Sequence, residues 1–162
     1  MHALTTRASS RASPSKDKGI HEALFTSRSE EWPTPQTFFD RLHDEFNFTL
    51  DPCATSENAK CPRFFTKDQD GLAQDWGPER VFCNPPYGKQ ISKWAQKAWL
   101  SSKRGALVVL LVHARTDTKW FHDFVYGKAE LRFVRGRLKF GDGIQSAPFP
   151  TLVAVYRPST ST

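Results

Sequence analysis

The chain has 162 residues, of which 38% are hydrophobic, and its formal net charge of +6 at pH 7 suits a polyanionic partner. That length predicts one domain that buries enough surface to fold without disulfide bonds or structural metal ions. Its three cysteines, an odd number with no Cys-x-x-Cys pair, argue against a disulfide framework and a zinc site, so we expect no metal. Because no stretch approaches the roughly 18 apolar residues of a membrane span, and the N-terminus lacks a signal-peptide core, we expect a cytoplasmic protein, monomeric by default.

The N-terminal region changes character near residue 29. Residues 1–28 are rich in Ser, Thr, Arg and Lys without hydrophobic periodicity, which predicts a disordered basic tail. We expect the folded domain to span residues 29–158 and residues 159–162 to be disordered. Thr34 suits the N-cap of a helix over about 35–46 and Pro35 its first position, because apolar residues follow at helical spacing.

Two short strands are predicted next. Residues 48–54 form the first, which ends in the acidic turn Asp51-Pro52-Cys53, and residues 61–66 form the second. In the polar turn after the second strand, the carboxylates Asp68 and Asp70 are interpreted as solvated rather than ligand-binding.

The central stretch is Val-Phe-Cys-Asn-Pro-Pro-Tyr-Gly at residues 81–88, an apolar strand stopped by a rigid Pro-Pro loop. The loop holds Asn84 and Tyr87 at the carboxyl edge of a sheet, where α/β proteins bind ligands. A planar amine could donate one hydrogen to the Asn84 side-chain oxygen and the other to the Pro85 carbonyl, while its ring stacks on Tyr87. Such positioning makes an exocyclic amine nucleophilic without a strong base.

The remainder alternates between helices and strands. Helices are predicted over about 89–102 and 118–126, around a buried strand at 106–112. Residues 131–140 alternate as one strand, with Arg135, Arg137 and Lys139 on one side, and residues 151–156 form the last strand. The order predicts an α/β fold, a mostly parallel sheet with an antiparallel C-terminal hairpin.

Asn84-Pro85-Pro86-Tyr87 resembles the catalytic motif of DNA methyltransferases that modify exocyclic amino groups. Further stretches, in the same order as in one subgroup, resemble the bacteriophage-type (Dam-like) adenine-N6 methyltransferases: Trp-Pro-Thr-Pro at 32–35, Leu-Asp-Pro-Cys-Ala at 50–54, Asp-Trp at 75–76, Arg-Thr-Asp-Thr at 115–118 and Ser-Ala-Pro-Phe-Pro at 146–150.

The resemblance implies a reduced Rossmann-like fold that uses S-adenosylmethionine to methylate N6 of adenine in double-stranded DNA. It also implies a bacteriophage or prophage origin, action in a bacterial cytoplasm and a role in restriction-modification. The resemblance assigns catalysis to Asn84, Pro85, Pro86 and Tyr87. It assigns cofactor binding to Trp32, Thr34, Pro35, Asp51, Pro52, Cys53, Asp75 and Trp76. Arg115, Arg135, Arg137 and Lys139 are the candidates for DNA contacts.

The chain departs from the wider class of amino-group methyltransferases in the first cofactor loop, where Ala54-Thr55-Ser56 replaces glycines that permit a close backbone approach, although the bacteriophage-type subgroup resembles it in having Asp-Pro-Cys-Ala there. Two alternatives therefore stay open at this stage. Cytosine offers a similar amine, so a cytosine-N4 methyltransferase would carry the same motif. A non-catalytic nucleic-acid-binding module with the same fold would also explain the missing glycines.

Overall fold

The computed structural model of the chain describes residues 32–141 and 145–159, so the predicted tail at 1–28 and all but Ser159 of the predicted tail at 159–162 lie outside the described residues. The helices are α1 (Gln36–Phe46), α2 (Ile91–Lys103) and α3 (Lys119–Phe124), with a 3-10 turn at Gly71–Ala73. The strands are β1 (Leu50–Asp51), β2 (Arg63–Phe64), β3 (Arg80–Cys83), β4 (Leu107–His113), β5 (Glu130–Phe133), β6 (Lys139–Phe140), β7 (Gln145–Ser146) and β8 (Thr151–Tyr156). Within the described ranges, no helix has the length and apolar character that crossing a membrane requires.

The main sheet has six strands in the order β2-β1-β3-β4-β8-β5. β1, β2, β3 and β4 run parallel, and β8 is antiparallel to both β4 and β5. This arrangement confirms the predicted α/β class and its mostly parallel sheet with antiparallel strands at the C-terminus. β6 and β7 pair with each other in a separate two-stranded sheet.

The sheet is covered on both faces, which explains the unbroken apolar run of β4. Val108 and Leu110 point into a core formed with α2 and α3, whereas Val109 and Leu111 point into a core formed with α1. Since successive side chains of a strand alternate between faces, both sets must be apolar when helices pack on both sides. The three layers leave the carboxyl edge of the sheet open between helix and loop.

The helices lie close to their predicted positions, but the predicted cap of α1 is wrong. Pro35 occupies the N-cap position, and no side chain caps the helix. Thr34 lies one residue further out, and its hydroxyl oxygen instead accepts a hydrogen bond from Asn84 at 2.9 Å. The Thr34 hydroxyl therefore binds Asn84, a residue distant in sequence, and not a backbone N–H in the first turn of α1, as a capping threonine would.

The prediction of one alternating strand over residues 131–140 is also wrong. β5 ends at Phe133, and the chain bends at Gly136, whose φ of 75° is a left-handed conformation that glycine adopts readily. β6 then pairs with β7 outside the main sheet. Because β5 is parallel to β4 and β8 begins opposite His113, the chain leaves β5 and enters β8 at the carboxyl edge.

Candidate active site

A cavity of about 410 Å³ lies at the carboxyl ends of β1 and β3, a volume within the range of sites for small molecules. Four segments of the chain meet around it: the approach to α1, the loop after β1, the turn after β2 and the Pro-Pro loop after β3. The predicted site residues that line the cavity are Trp32, Thr34, Asp51, Pro52, Cys53, Asn84, Pro85 and Pro86.

The Asn84 amide has a defined orientation. Its Nδ2 donates hydrogen bonds to the Trp32 carbonyl at 2.5 Å and to the Thr34 hydroxyl oxygen at 2.9 Å. Since a carbonyl only accepts, the nitrogen must face Trp32 and Oδ1 must point the other way. Oδ1 is buried and accepts no hydrogen bond from any residue that the structure describes. An unsatisfied buried acceptor costs about 1–3 kcal/mol, which a donor from a ligand would recover.

The Pro-Pro loop offers a second acceptor beside Asn84. Pro85 is buried at the cavity wall, and the hydrogen bonds among the described residues leave its carbonyl oxygen without a donor. Both prolines lack an N–H and restrict the backbone. The loop therefore presents two oxygen acceptors, one from a side chain and one from the main chain, on a stiff support.

Tyr87 belongs to an aromatic cluster beside the cavity and is not among the residues that line it. Its ring stacks on His113, with centroids 5.0 Å apart and planes at 23°, and meets the Phe149 ring edge at 5.4 Å. Its hydroxyl donates to the Leu111 carbonyl at 2.9 Å. Burial raises the pKa of Tyr87 well above its usual range, and burial with the nearby Arg115 lowers the pKa of His113 to about 4. Both rings are therefore neutral at pH 7.

Asp51 places a buried carboxylate at the cavity wall. Its side chain is held by backbone N–H groups, Oδ1 by Cys53 at 3.3 Å and Oδ2 by Lys60 at 3.0 Å. Burial raises the pKa of Asp51 to about 6, although these two hydrogen bonds oppose the shift. A carboxylate so poorly solvated gains strongly from a cation placed beside it.

Gly71 packs closely against the loop that follows β1. Ala54 is buried and tied to the second strand, since its N–H donates to the Phe65 carbonyl at 3.0 Å. Gly71, from the 3-10 turn, lines the cavity so closely against this loop that a Cβ there would lie 1.9 Å from the Pro52 carbonyl oxygen. No side chain fits. Sequence reasoning assigned Gly71 only to a turn, and its neighbour Asp70, interpreted as solvated, is exposed but also lines the cavity.

Three of the predicted cofactor residues lie outside the cavity. Pro35 lines a shallower cavity of about 220 Å³ together with Arg41, Arg137 and Lys139. Asp75 is exposed, and its carboxylate accepts a hydrogen bond from the Gly77 N–H at 3.1 Å.

Trp76 supports the cavity wall from behind. It is fully buried, its indole N–H donates to the Gly71 carbonyl at 2.8 Å, and its ring stacks on Trp94 at 6.1 Å. Gly71 and Trp94 both line the cavity. Trp76 therefore supports the cavity through Gly71 and Trp94.

The predicted DNA-binding residues share one edge of the molecule. Arg115 follows β4, whereas Arg135, Arg137 and Lys139 lie in the segment between β5 and β7, and all four are exposed. Both segments lie at the carboxyl edge, on the same side as Asn84. Sequence reasoning missed Lys60 and Lys67, which line the cavity. No three His, Cys, Asp or Glu side chains within 32–141 and 145–159 are grouped so that they could hold a metal ion.

Comparison with known proteins identifies the family. Residues 22–151 match the family model described as DNA N-6-adenine-methyltransferase (Dam). The chain belongs to this family. The Dam-family chain is 28% identical over 143 residues to the DNA N-6-adenine-methyltransferase of Haemophilus phage HP1 (strain HP1c1), covering 82% of this chain and 83% of that relative. It is 27% identical over 109 residues to the DNA N-6-adenine-methyltransferase of Escherichia phage T1, covering 66% of this chain and 45% of that relative.

Membership in the Dam family confirms the resemblance drawn from the sequence motifs and the predicted enzyme class. The family description specifies the amino group of adenine, which favours adenine-N6 over the cytosine-N4 alternative. S-adenosylmethionine is the usual methyl donor of methyltransferases, and DNA is the substrate class that the family implies.

Proposed function

We propose that this Dam-family protein methylates N6 of adenine in double-stranded DNA and that Asn84 is its central catalytic residue. The observation that supports the proposal most directly is the buried, unsatisfied Oδ1 of Asn84, whose nitrogen is already committed to Trp32 and Thr34. An acceptor held in this way is what recognition of an amino group requires.

The residues of the main cavity fit S-adenosylmethionine. The buried Asp51 carboxylate would meet the ammonium group, and the close approach of Gly71 to Pro52 would leave backbone rather than side chains against the ligand. When bound, this cofactor would supply an electrophilic methyl group, carried on a positively charged sulfonium, for transfer to the adenine amino nitrogen. Cys53 is part of the same cavity wall.

The Pro-Pro loop would orient the adenine. One amino hydrogen is donated to Asn84 Oδ1 and the other to the Pro85 carbonyl, so that the nitrogen lone pair faces away from both acceptors. Because Oδ1 is buried, the side chains that cover it must shift to admit the amine. Neither aromatic neighbour supplies a base, because the pKa of Tyr87 is raised and His113, which stacks on it, has a pKa of about 4. The amino proton is therefore lost to solvent after transfer.

Tyr87 and the basic edge would hold the rest of the substrate. His113 covers one face of the Tyr87 ring, so a flipped base would stack on the opposite face. Arg115, Arg137 and Lys139 are exposed at the same edge of the sheet, where they would contact phosphates of the flanking duplex. Phosphate contacts fix orientation, whereas the sequence preference depends on base contacts.

The test is to incubate the purified protein with unmethylated plasmid and S-adenosylmethionine, digest the DNA to nucleosides and analyse them by mass spectrometry. We expect N6-methyladenine, and we expect Asn84→Ala to lower its formation about 100-fold or more, since the acceptor that positions the amine is lost. Cofactor affinity measured by calorimetry should change little.

A matched control is Asn47→Gly, which removes an asparagine amide at the opposite edge of the sheet. Asn47 ends α1 in a left-handed conformation that glycine also adopts, and the hydrogen bond it accepts from Arg80 uses its backbone carbonyl. Full activity of Asn84→Ala would overturn the role given to Asn84. N4-methylcytosine in the digest would show that the substrate base is cytosine and not adenine. The absence of both modified bases, together with the absence of cofactor binding, would favour a non-catalytic binding module.

A further inference from the structure

We infer that Thr34 is a positioning residue for methyl transfer, which acts by fixing the orientation of the Asn84 amide. The inference rests on the proposed function. Thr34 is 6% exposed, so its hydroxyl is shielded from competing water. Its Oγ1 lies 2.9 Å from Asn84 Nδ2, although the two residues are 50 positions apart in sequence.

The amide orientation matters because the two ends of an asparagine side chain are nearly equal in shape and opposite in function. If the amide turned over, Oδ1 would face the Trp32 carbonyl and Nδ2 would face the substrate, where a donor repels an amino group. No described residue donates to Oδ1, so nothing on the substrate side opposes this rotation. The acceptors Trp32 and Thr34 alone favour the productive orientation.

The two acceptors belong to a segment that is itself anchored. The Trp32 ring meets Phe140 edge-on at 5.7 Å and Phe149 at 5.4 Å. The Gly141 N–H donates to the Pro33 carbonyl at 2.9 Å. The segment around β6 and β7 thus fixes the approach to α1, and that approach fixes Asn84. This gives the Ser-Ala-Pro-Phe-Pro stretch, through Phe149, a physical connection with the catalytic loop.

The inference is tested with two variants of Thr34. Thr34→Val keeps the side-chain shape but removes the acceptor, and it leaves one buried Asn84 N–H without a partner. We expect kcat to fall about tenfold or more, since a misoriented group contributes little to catalysis. Thr34→Ser keeps the hydroxyl and should return kcat to within about threefold of the wild type. The dissociation constant of S-adenosylmethionine should stay within about twofold in both.

A second readout needs neither cofactor nor DNA. In the free protein, the side-chain amide of Asn84 gives a pair of NMR signals that can be assigned by their loss in Asn84→Ala. Thr34→Val should shift these signals and speed the exchange of their protons with water, whereas Thr34→Ser should leave them near their wild-type positions. A purely structural role for Thr34 would not produce this pattern.

The matched control is Thr49→Val. The Thr49 hydroxyl oxygen accepts a hydrogen bond from the Arg80 N–H at 3.0 Å, at the opposite edge of the sheet. The control should lower thermal stability while the Asn84 signals and kcat remain unchanged. If Thr34→Val destabilises the fold too far, Thr34→Ala removes the same acceptor with less crowding and gives the same test.

Three outcomes would overturn the inference in distinguishable ways. Wild-type kcat and unshifted Asn84 signals in Thr34→Val would show that Thr34 does not position the amide. A weaker cofactor affinity with unchanged kcat would make Thr34 a cofactor contact instead. Full activity of Asn84→Ala would instead refute the proposed function on which the inference rests.

Discussion

At the scale of single residues, Asp51 shows how burial prepares a group for a charged ligand. Its carboxylate accepts hydrogen bonds from two backbone N–H groups and is also stabilised by the Lys60 charge, yet burial raises its pKa to about 6 from an ordinary value of 3.8. In the free folded protein, the protonated form of Asp51 is therefore favoured below about pH 6. Asp51 therefore contributes roughly 3 kcal/mol to the free energy of unfolding. This contribution is fully present below pH 3.8 and is lost as the pH rises through about 6.

A ligand cation beside Asp51 reverses this preference, because opposite charge favours the ionised carboxylate. Cofactor binding below pH 6 must then displace a proton. We predict that the affinity for S-adenosylmethionine is constant above about pH 7 and falls about tenfold per pH unit below about pH 6. Calorimetry from pH 5 to 8 measures this. Asp51→Asn should bind S-adenosylmethionine weakly at every pH. If its affinity fell with decreasing pH as steeply as that of the wild type, the proton displaced on binding would belong to another group.

Tyr87 combines two roles that separate substitutions can distinguish. Tyr87→Phe keeps the ring against His113 but loses the hydrogen bond to Leu111, which should cost about 1 kcal/mol in the free energy of unfolding measured by urea. Tyr87→Ala also removes the stacking surface and should weaken binding of methylatable DNA by about 1–3 kcal/mol. Equal DNA affinity of the two variants would argue against stacking of a base on this ring.

At the scale of elements, the loop after β1 and the 3-10 turn act as one unit of the cavity wall. The turn brings Gly71 against Pro52, and Trp76 holds the Gly71 carbonyl from behind. We predict that Gly71→Ala lowers the free energy of unfolding by about 1–3 kcal/mol and weakens cofactor binding, because the new methyl group can be accommodated only if the backbone moves. Ala73→Ser, an exposed change in the same turn, should alter neither quantity. Wild-type affinity in Gly71→Ala would mean that this approach is not part of the cofactor site.

Elements with strong local patterns were predictable from the sequence. β4 is a continuous apolar run and α1 has regular helical spacing, so their positions depend little on distant contacts. The Pro-Pro loop was predictable because proline restricts the backbone by its own covalent structure. The sequence also indicated which segments meet at the cavity, since the carboxyl ends of parallel strands share an edge.

Features that depend on contacts between distant segments were not predictable. The partner of Thr34 is Asn84, and the residue that approaches Pro52 is Gly71; neither pairing leaves a periodic signal. The strand predicted over residues 131–140 failed for a related reason. Its alternation continues through Gly136, but the backbone there turns out of the main sheet to pair locally.

At the scale of the whole molecule, the sheet topology gathers positive charge at the edge that carries the Pro-Pro loop. The segment between β5 and β8 begins and ends at the carboxyl edge, and so does the loop after β4. Arg115, Arg137 and Lys139 are exposed there. Helix α2 begins after β3 at the carboxyl edge and runs back across the sheet. Lys103, its last residue, therefore lies at the opposite edge. Binding of DNA at one edge should therefore depend on the first set of charges and not on Lys103.

The salt dependence of DNA binding tests this asymmetry. We predict that Arg137→Ala weakens binding to an unmethylated duplex and lowers the slope of log affinity against log salt concentration by about 1, since one phosphate contact is lost. Lys103→Ala removes the same charge from the opposite edge and should leave the slope unchanged, because Lys103 packs over the Trp99 ring away from the cavity. Fluorescence anisotropy between about 50 and 200 mM salt measures both slopes. If the two variants lost equal amounts of slope, the protein would bind DNA through its net charge of +6 rather than through this edge.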